Sequence, residues 1–318
     1  MFIISFWIIC QSITTFAVNY VFQISQPLSQ PSSDSSTSII PSSPILVILL
    51  NYLSIYLIIG PIYLYTYWKT GSLGFYTLDI QYVKMFSLYA IISCISDLAN
   101  LYCLTGINIS SYLILINLYV PFSCIFAKWI LKIEQTCIQW LLLILVILVS
   151  IMFQCIIEPD ILTSFSWNQT RFYLALLATI TLDCINMSLL TKYITNGEDE
   201  SYQRTIYTLG CMYAFCSVIC LCFFLITSIF WFPATKYTQW IYLYCILYAV
   251  NTLIYVYICK RYDPVIFTLS GVLSIIWSFI LLPQLITSAS VLACFVLALV
   301  LVTYIKSKEK ETREEIPN

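Results

Sequence analysis

Histidine is absent from this 318-residue chain. Imidazole proton relays and histidine-ligated metal sites are therefore excluded. Charged residues make up only 9% of the sequence, where soluble domains carry about 25%. Glycine is scarce, with 7 residues, and no glycine-rich phosphate loop occurs. No Ser/His/Asp set and no metal-ligand spacing is present, so the chain is not expected to be an enzyme, nor to hold a cofactor or metal. A net charge of −1 leaves no footprint for nucleic acid. The 14 cysteines include no C-x-x-C pair. Most lie in apolar runs, among them Cys124, Cys155, Cys211, Cys216, Cys220 and Cys222. They read as small apolar residues rather than a disulfide framework.

The remainder is strongly hydrophobic, with 61% apolar residues, 25 Tyr and 19 Phe. Such a composition belongs to an integral membrane protein. Ten runs are long enough to cross a hydrocarbon core of about 30 Å: 1–23, 45–67, 82–103, 107–131, 138–157, 172–193, 205–231, 239–259, 264–283 and 286–305. The first lacks a basic flank and a small-residue cleavage site, so it reads as a span rather than a secretory signal. Residues 24–44 form a Ser/Pro-rich loop expected to be mobile. Residues 306–318 are a charged tail.

Basic residues orient this plan. With a cytosolic amino terminus, Lys69, Lys84, Lys128, Lys132, Lys192, Arg204, Lys260, Arg261, Lys306, Lys308, Lys310 and Arg313 fall on the cytosolic side. Only Arg171 and Lys236 fall opposite. The bias follows the positive-inside rule and places both termini in the cytosol. Five spans precede the 158–171 loop and five follow it. The expected fold is thus all-α with ten transmembrane helices: a first five-helix repeat over 1–157 and an inverted second one over 172–305.

Candidate site residues are the polar groups at membrane depth. Asp97 and Asp183 are the acids well inside spans, where a carboxylate must face a cavity or a partner. Each is either a binding or proton-coupling group or a hydrogen-bonded structural carboxyl. Asn100 lies at i+3 from Asp97, on the same helix face. Tyr112, Asn117 and Tyr119 give span four a polar side, and Asn251 sits in span eight. Each of these fits either a pathway role or an interhelical hydrogen bond. Thr268, in span nine, either lines the pathway or satisfies its own helix. Tyrosines near span ends, such as Tyr63, Tyr65 and Tyr67, suit an interfacial belt. Sequons occur at Asn108-Ile109-Ser110, Asn168-Gln169-Thr170 and Asn186-Met187-Ser188, and Asn168 is the one best placed for glycosylation.

Within Ser96 to Gln154, LANLYCLTGINISSYLILINLYVPFSCIFAKWIL is followed by Ile138-Gln139-Trp140. With Gln11 in ICQSITT and Arg261-Tyr262-Asp263 before span nine, this layout resembles the Golgi nucleotide-sugar transporters. These are the CMP-sialic acid and UDP-galactose type of the drug/metabolite transporter superfamily. The resemblance implies a nucleotide-sugar/nucleoside-monophosphate antiporter of the Golgi or ER membrane, working by alternating access. Tyr112, Asn117, Asn100 and Asn251 would then bind base, ribose and sugar, with Arg261 nearest the phosphate. The family carries a lysine in span four, where this chain has Ile116-Asn117-Leu118-Tyr119, and another early in span nine, near Phe267 or Thr268. Two alternatives therefore stand beside the antiporter. One is a carrier of a cationic or neutral metabolite coupled to protons through Asp97 or Asp183; the other is a non-transporting membrane scaffold. The expected partners are a small-molecule substrate, membrane lipid and, as an option, a second copy in a homodimer.

Overall fold

The computed structural model describes residues 40–42, 44–70, 80–104, 106–107, 109–157, 167–195, 202–229, 235–237 and 240–261, with scattered positions from 265 to 307. Seven helices dominate. They are α1 (Pro44–Thr70), α2 (Ile80–Leu104), α3 (109–131), α4 (Cys137–Ile157), α5 (Trp167–Thr195), α6 (Tyr202–Ile229) and α7 (Trp240–Arg261). Long apolar runs become helices because only a helix or a closed barrel satisfies every backbone group away from water. Two short strands, β1 (Ile40–Ser42) and β2 (Thr235–Tyr237), pair antiparallel. They tie the start of α1 to the α6–α7 connection.

The architecture corrects the expectation of ten spans in two inverted five-helix repeats. Among the described residues, six helices are long and apolar enough to cross a membrane: Ile45–Lys69, Val83–Leu104, Ser111–Leu131, Cys137–Ile156, Thr170–Tyr193 and Thr205–Ile226. Within α7 the described side chains give a shorter apolar stretch, Leu243–Ile258. The expected span 1–23 lies outside the described residues. So does 264–283, apart from Val265 and Thr268. A multi-span helical membrane protein remains, whose largest core joins helices from both sides of the 158–171 connection. That core packs Tyr52 and Ile55 of α1, Phe86 and Ala90 of α2, Met212 of α6 and Ala249 of α7.

Helix α3 is the irregular one. Its α-helical start (Ile109–Leu115) tightens to a 3-10 turn at Ile116–Leu118, resumes over Tyr119–Phe126 and widens to a π turn at Ala127–Leu131. Pro121 has no N–H to offer the Asn117 carbonyl one turn back. The Asn117 side chain turns back on the preceding turn, its Nδ2 donating to the carbonyls of Ile114 (2.7 Å) and Leu113 (3.3 Å). Side-chain competition of this kind loosens a regular α-helix.

Two locks hold the ends of α3. At one, Lys132 adopts a left-handed backbone (φ 63°) that stops the helix. Thr136 and Gln139 then cap α4 reciprocally: Thr136 N–H donates to Gln139 Oε1 (3.0 Å) and Gln139 N–H to Thr136 Oγ1 (3.4 Å). This is a capping box, each side chain satisfying an orphan backbone donor. Tyr304 Oη also donates to Gln135 Oε1 at 2.6 Å. At the other end, Gly106 sits under the Phe172 ring, where a Cβ would come within 2.3 Å of its carbons. Tyr102 packs on the same ring at 5.0 Å, and the Arg171 guanidinium lies 4.9 Å from it.

Candidate functional site

The site grows from the contact between α2 and α5. Small polar residues let the two helices approach closely, and side chains bond across the gap. Asn186 Nδ2 donates to Ser93 Oγ (2.8 Å) and to the Tyr89 carbonyl (3.4 Å). One turn further along, Ser96 Oγ donates to the Asp183 carboxyl. Ser96 and Thr179 also exchange side-chain-to-carbonyl bonds at 3.3 and 3.4 Å. Ser96 is fully buried and Asn186 is 5% exposed. In membranes each such bond contributes about 0.6 kcal/mol on average, so the ladder fixes register more than it adds stability.

Two other helices close on this ladder. Tyr119, just past the 3-10 turn of α3, donates its hydroxyl to Asp183 Oδ2 at 2.5 Å. Tyr52 of α1 donates to Asp97 Oδ2 at 2.6 Å. The two carboxyls are near enough to act on one another electrostatically. Four helices thus meet at an acid pair with three hydroxyl donors. Tyr213 of α6 and Tyr248 of α7 also lie within electrostatic range of Asp97, and Tyr52 packs on Tyr213 with ring centroids 5.9 Å apart.

Burial distinguishes this cluster from a filled core. Asp97 and Asp183 are ringed by protein, yet each keeps part of its surface accessible. The same holds for Tyr112, Tyr119 and Tyr248. Neither acid is therefore sealed inside a fully packed core. Every described basic side chain, by contrast, is exposed: Lys69, Lys84, Lys128, Lys132, Arg171, Lys192 and Lys306.

The sequence-predicted residues divide accordingly. Asp97, Asp183 and Tyr119 meet at the acid pair. Asn100 accepts from the Tyr112 hydroxyl at 3.0 Å, a second polar link between α2 and α3. Asn117 is buried; its Nδ2 is spent on its own helix, while its Oδ1 is buried without a hydrogen-bond partner. Thr268 bonds to the Val265 carbonyl and to Ser123 Oγ, both at 2.9 Å, so it satisfies its own helix and a neighbour together. Asn251 is buried in α7 at 8% exposure. The Arg261 side chain lies outside the described residues. Asn186, the asparagine of the third sequon, points into the bundle and is no glycan acceptor. Among the described residues, 11 cysteines form no disulfide.

Sequence reasoning missed Tyr52. The signal lay in Asn51-Tyr52-Leu53-Ser54, a polar cluster in the middle of an apolar run. The interfacial expectation covers tyrosines near span ends and gives Tyr52, in mid-run, no role; it is fully buried. The interfacial reading suits Tyr65 and Tyr67, which are exposed. Gln139, quoted for the family resemblance, is buried and serves as a helix cap.

No family model matches the chain, and no curated relative matches it. Among solved structures, 25 chains match. One, described only as the crystal structure of a protein, has a TM-score of 0.56 at 11% sequence identity, over 94% of this chain and 96% of that chain. At that identity the likeness concerns the fold alone.

Proposed function

We propose that this membrane protein is a carrier of a cationic or uncharged solute, coupled to protons through Asp97 and Asp183. The observation that carries the proposal is the partly accessible acid pair inside the bundle, whereas every described basic side chain is exposed. Intramembrane carboxyls of this kind mark ion and proton paths. A further acceptor stands beside them. Asn186 Oδ1 is buried without a hydrogen-bond partner, one turn from Asp183 on the same helix. Its Nδ2 is committed to α2, so the oxygen is left for a donor or a cation.

The nucleotide-sugar antiporter of the Golgi or ER is the second reading, resting on the sequence resemblance. The uncharged, partly accessible pair Asn100–Tyr112 favours it, since such groups suit ribose and sugar hydroxyls. Against it, the phosphates would meet two carboxyls in a medium of low dielectric, where like charges repel strongly. The test is uptake into proteoliposomes, with methylammonium, glucose and UDP-galactose as probes under an imposed pH gradient. The carrier reading expects proton-driven movement of methylammonium or glucose, lost in Asp183→Asn. Trans-stimulated UDP-galactose uptake, indifferent to the pH gradient, would replace it with the second reading.

A further inference from the structure

The two carboxyls are not equivalent. Among the described residues, Asp183 receives two hydroxyl donors from two helices, Ser96 and Tyr119, while Asp97 receives one, Tyr52. Each donor to a carboxylate stabilises its charged form. Two carboxyls within electrostatic reach of one another in a low-dielectric interior do not readily both ionise, so one of them favours the protonated form. The charge settles where the donors are.

The surroundings add to the asymmetry. Around Asp97 stand Tyr52 on α1, Asp183 on α5, Tyr213, Cys216 and Cys220 on α6, and Tyr248 on α7. Cys94 is its neighbour on α2. All are neutral or negative, and none supplies a positive charge. Asp183 faces Tyr119 and Tyr112 on α3, with Cys184 beside it on α5. Asn186 Oδ1, one turn away, is an uncommitted acceptor on the α5 side.

We propose that the pair carries one exchangeable proton, that it sits on Asp97, and that Asp183 is the fixed negative charge. This deepens the carrier reading by dividing its labour: Asp97 takes up and releases the proton, and Asp183 with Asn186 faces the solute. In the releasing step the Asp97 O–H bond breaks and the proton passes to water on the open side. Its electron pair stays on the carboxylate, so charge and atoms balance. Tyr52 is a positioning residue that sets how readily this happens.

The test is infrared difference spectroscopy of the full chain in lipid nanodiscs, following the protonated-carboxyl C=O stretch as pH is varied. One titrating band is expected. Asp97→Asn should abolish it. Asp183→Asn should keep it and lower its midpoint by about one pH unit or more, because the like charge is gone. Tyr52→Phe should raise the midpoint by a similar amount, because a donor to the charged form is lost. Tyr52→Phe keeps both acids and the ring, so its shift is readable even where an Asn variant fails to fold. A band that survives in Asp97→Asn and vanishes in Asp183→Asn overturns the assignment, as does the absence of any titrating band in the wild type. The readout needs no transport. Failed uptake with the expected bands present would count against the carrier reading alone.

Discussion

Ser96 donates to the Asp183 carboxyl from the position immediately before Asp97. One peptide unit and one hydrogen bond therefore connect two intramembrane acids on different helices. That link makes the α2–α5 seam the centre of the molecule, and it has mechanical consequences.

Ser96 is fully buried where α2 and α5 approach. Ser96→Leu should wedge the helices apart and lower stability by about 1–3 kcal/mol, the usual range for overpacking. Ser96→Ala, which keeps the space and loses the donor, should lower it by about 1 kcal/mol. Thermal unfolding in detergent separates them. Equal effects would mean that the seam is not tightly packed.

Tyr119 and Asn117 lie two residues apart and should behave differently. Tyr119→Phe removes a donor from Asp183 and should weaken solute binding about tenfold, in line with a charged hydrogen bond. Asn117→Ala removes the Nδ2 bonds to its own helix together with a buried Oδ1 that has no partner, and should leave affinity within about twofold. Isothermal titration with the transported solute decides this; the reverse ranking would restore Asn117 as a ligand-binding residue.

Gly106 has no room for a side chain beneath Phe172. Gly106→Ala should destabilise the protein by about 1–3 kcal/mol, and adding Phe172→Ala should recover part of the loss. A double-mutant cycle measures the coupling. Additive losses would show that the ring moves aside freely.

Gln139 and Thr136 cap α4 at a distance from the acids. Thr136→Ala should lower stability by about 1 kcal/mol, as loss of an N-cap does, without altering which solutes are taken up. A change in solute preference on replacing Gln139 would return that residue to a role in recognition.

Much of this was legible in the residues. Asp97 and Asp183 announce themselves because a carboxyl amid twenty apolar neighbours must have an inward partner. The featureless α4 reads correctly as a packing and lipid-facing helix: Leu141, Leu148 and Ile156 are exposed, while Leu143 and Val146 are buried. What sequence could not provide was pairing. Asp97 and Asn100 share a face at i+3, yet they reach different helices, Tyr52 of α1 and Tyr112 of α3. Hydropathy says a segment is greasy but not what it lies against, so the count of spans and the inverted halves outran the information. Gln139, part of the resemblance, caps α4 locally, a role that its spacing in the sequence does not reveal.

The most direct check on the acid pair is labelling with a hydrophobic carbodiimide, which modifies protonated carboxyls inside membranes, followed by peptide mass spectrometry of the native protein. The account predicts modification at Asp97 ahead of Asp183, slowed as pH rises and blocked by the transported solute. Modification confined to exposed acids such as Glu134, with Asp97 and Asp183 untouched at every pH, would contradict it.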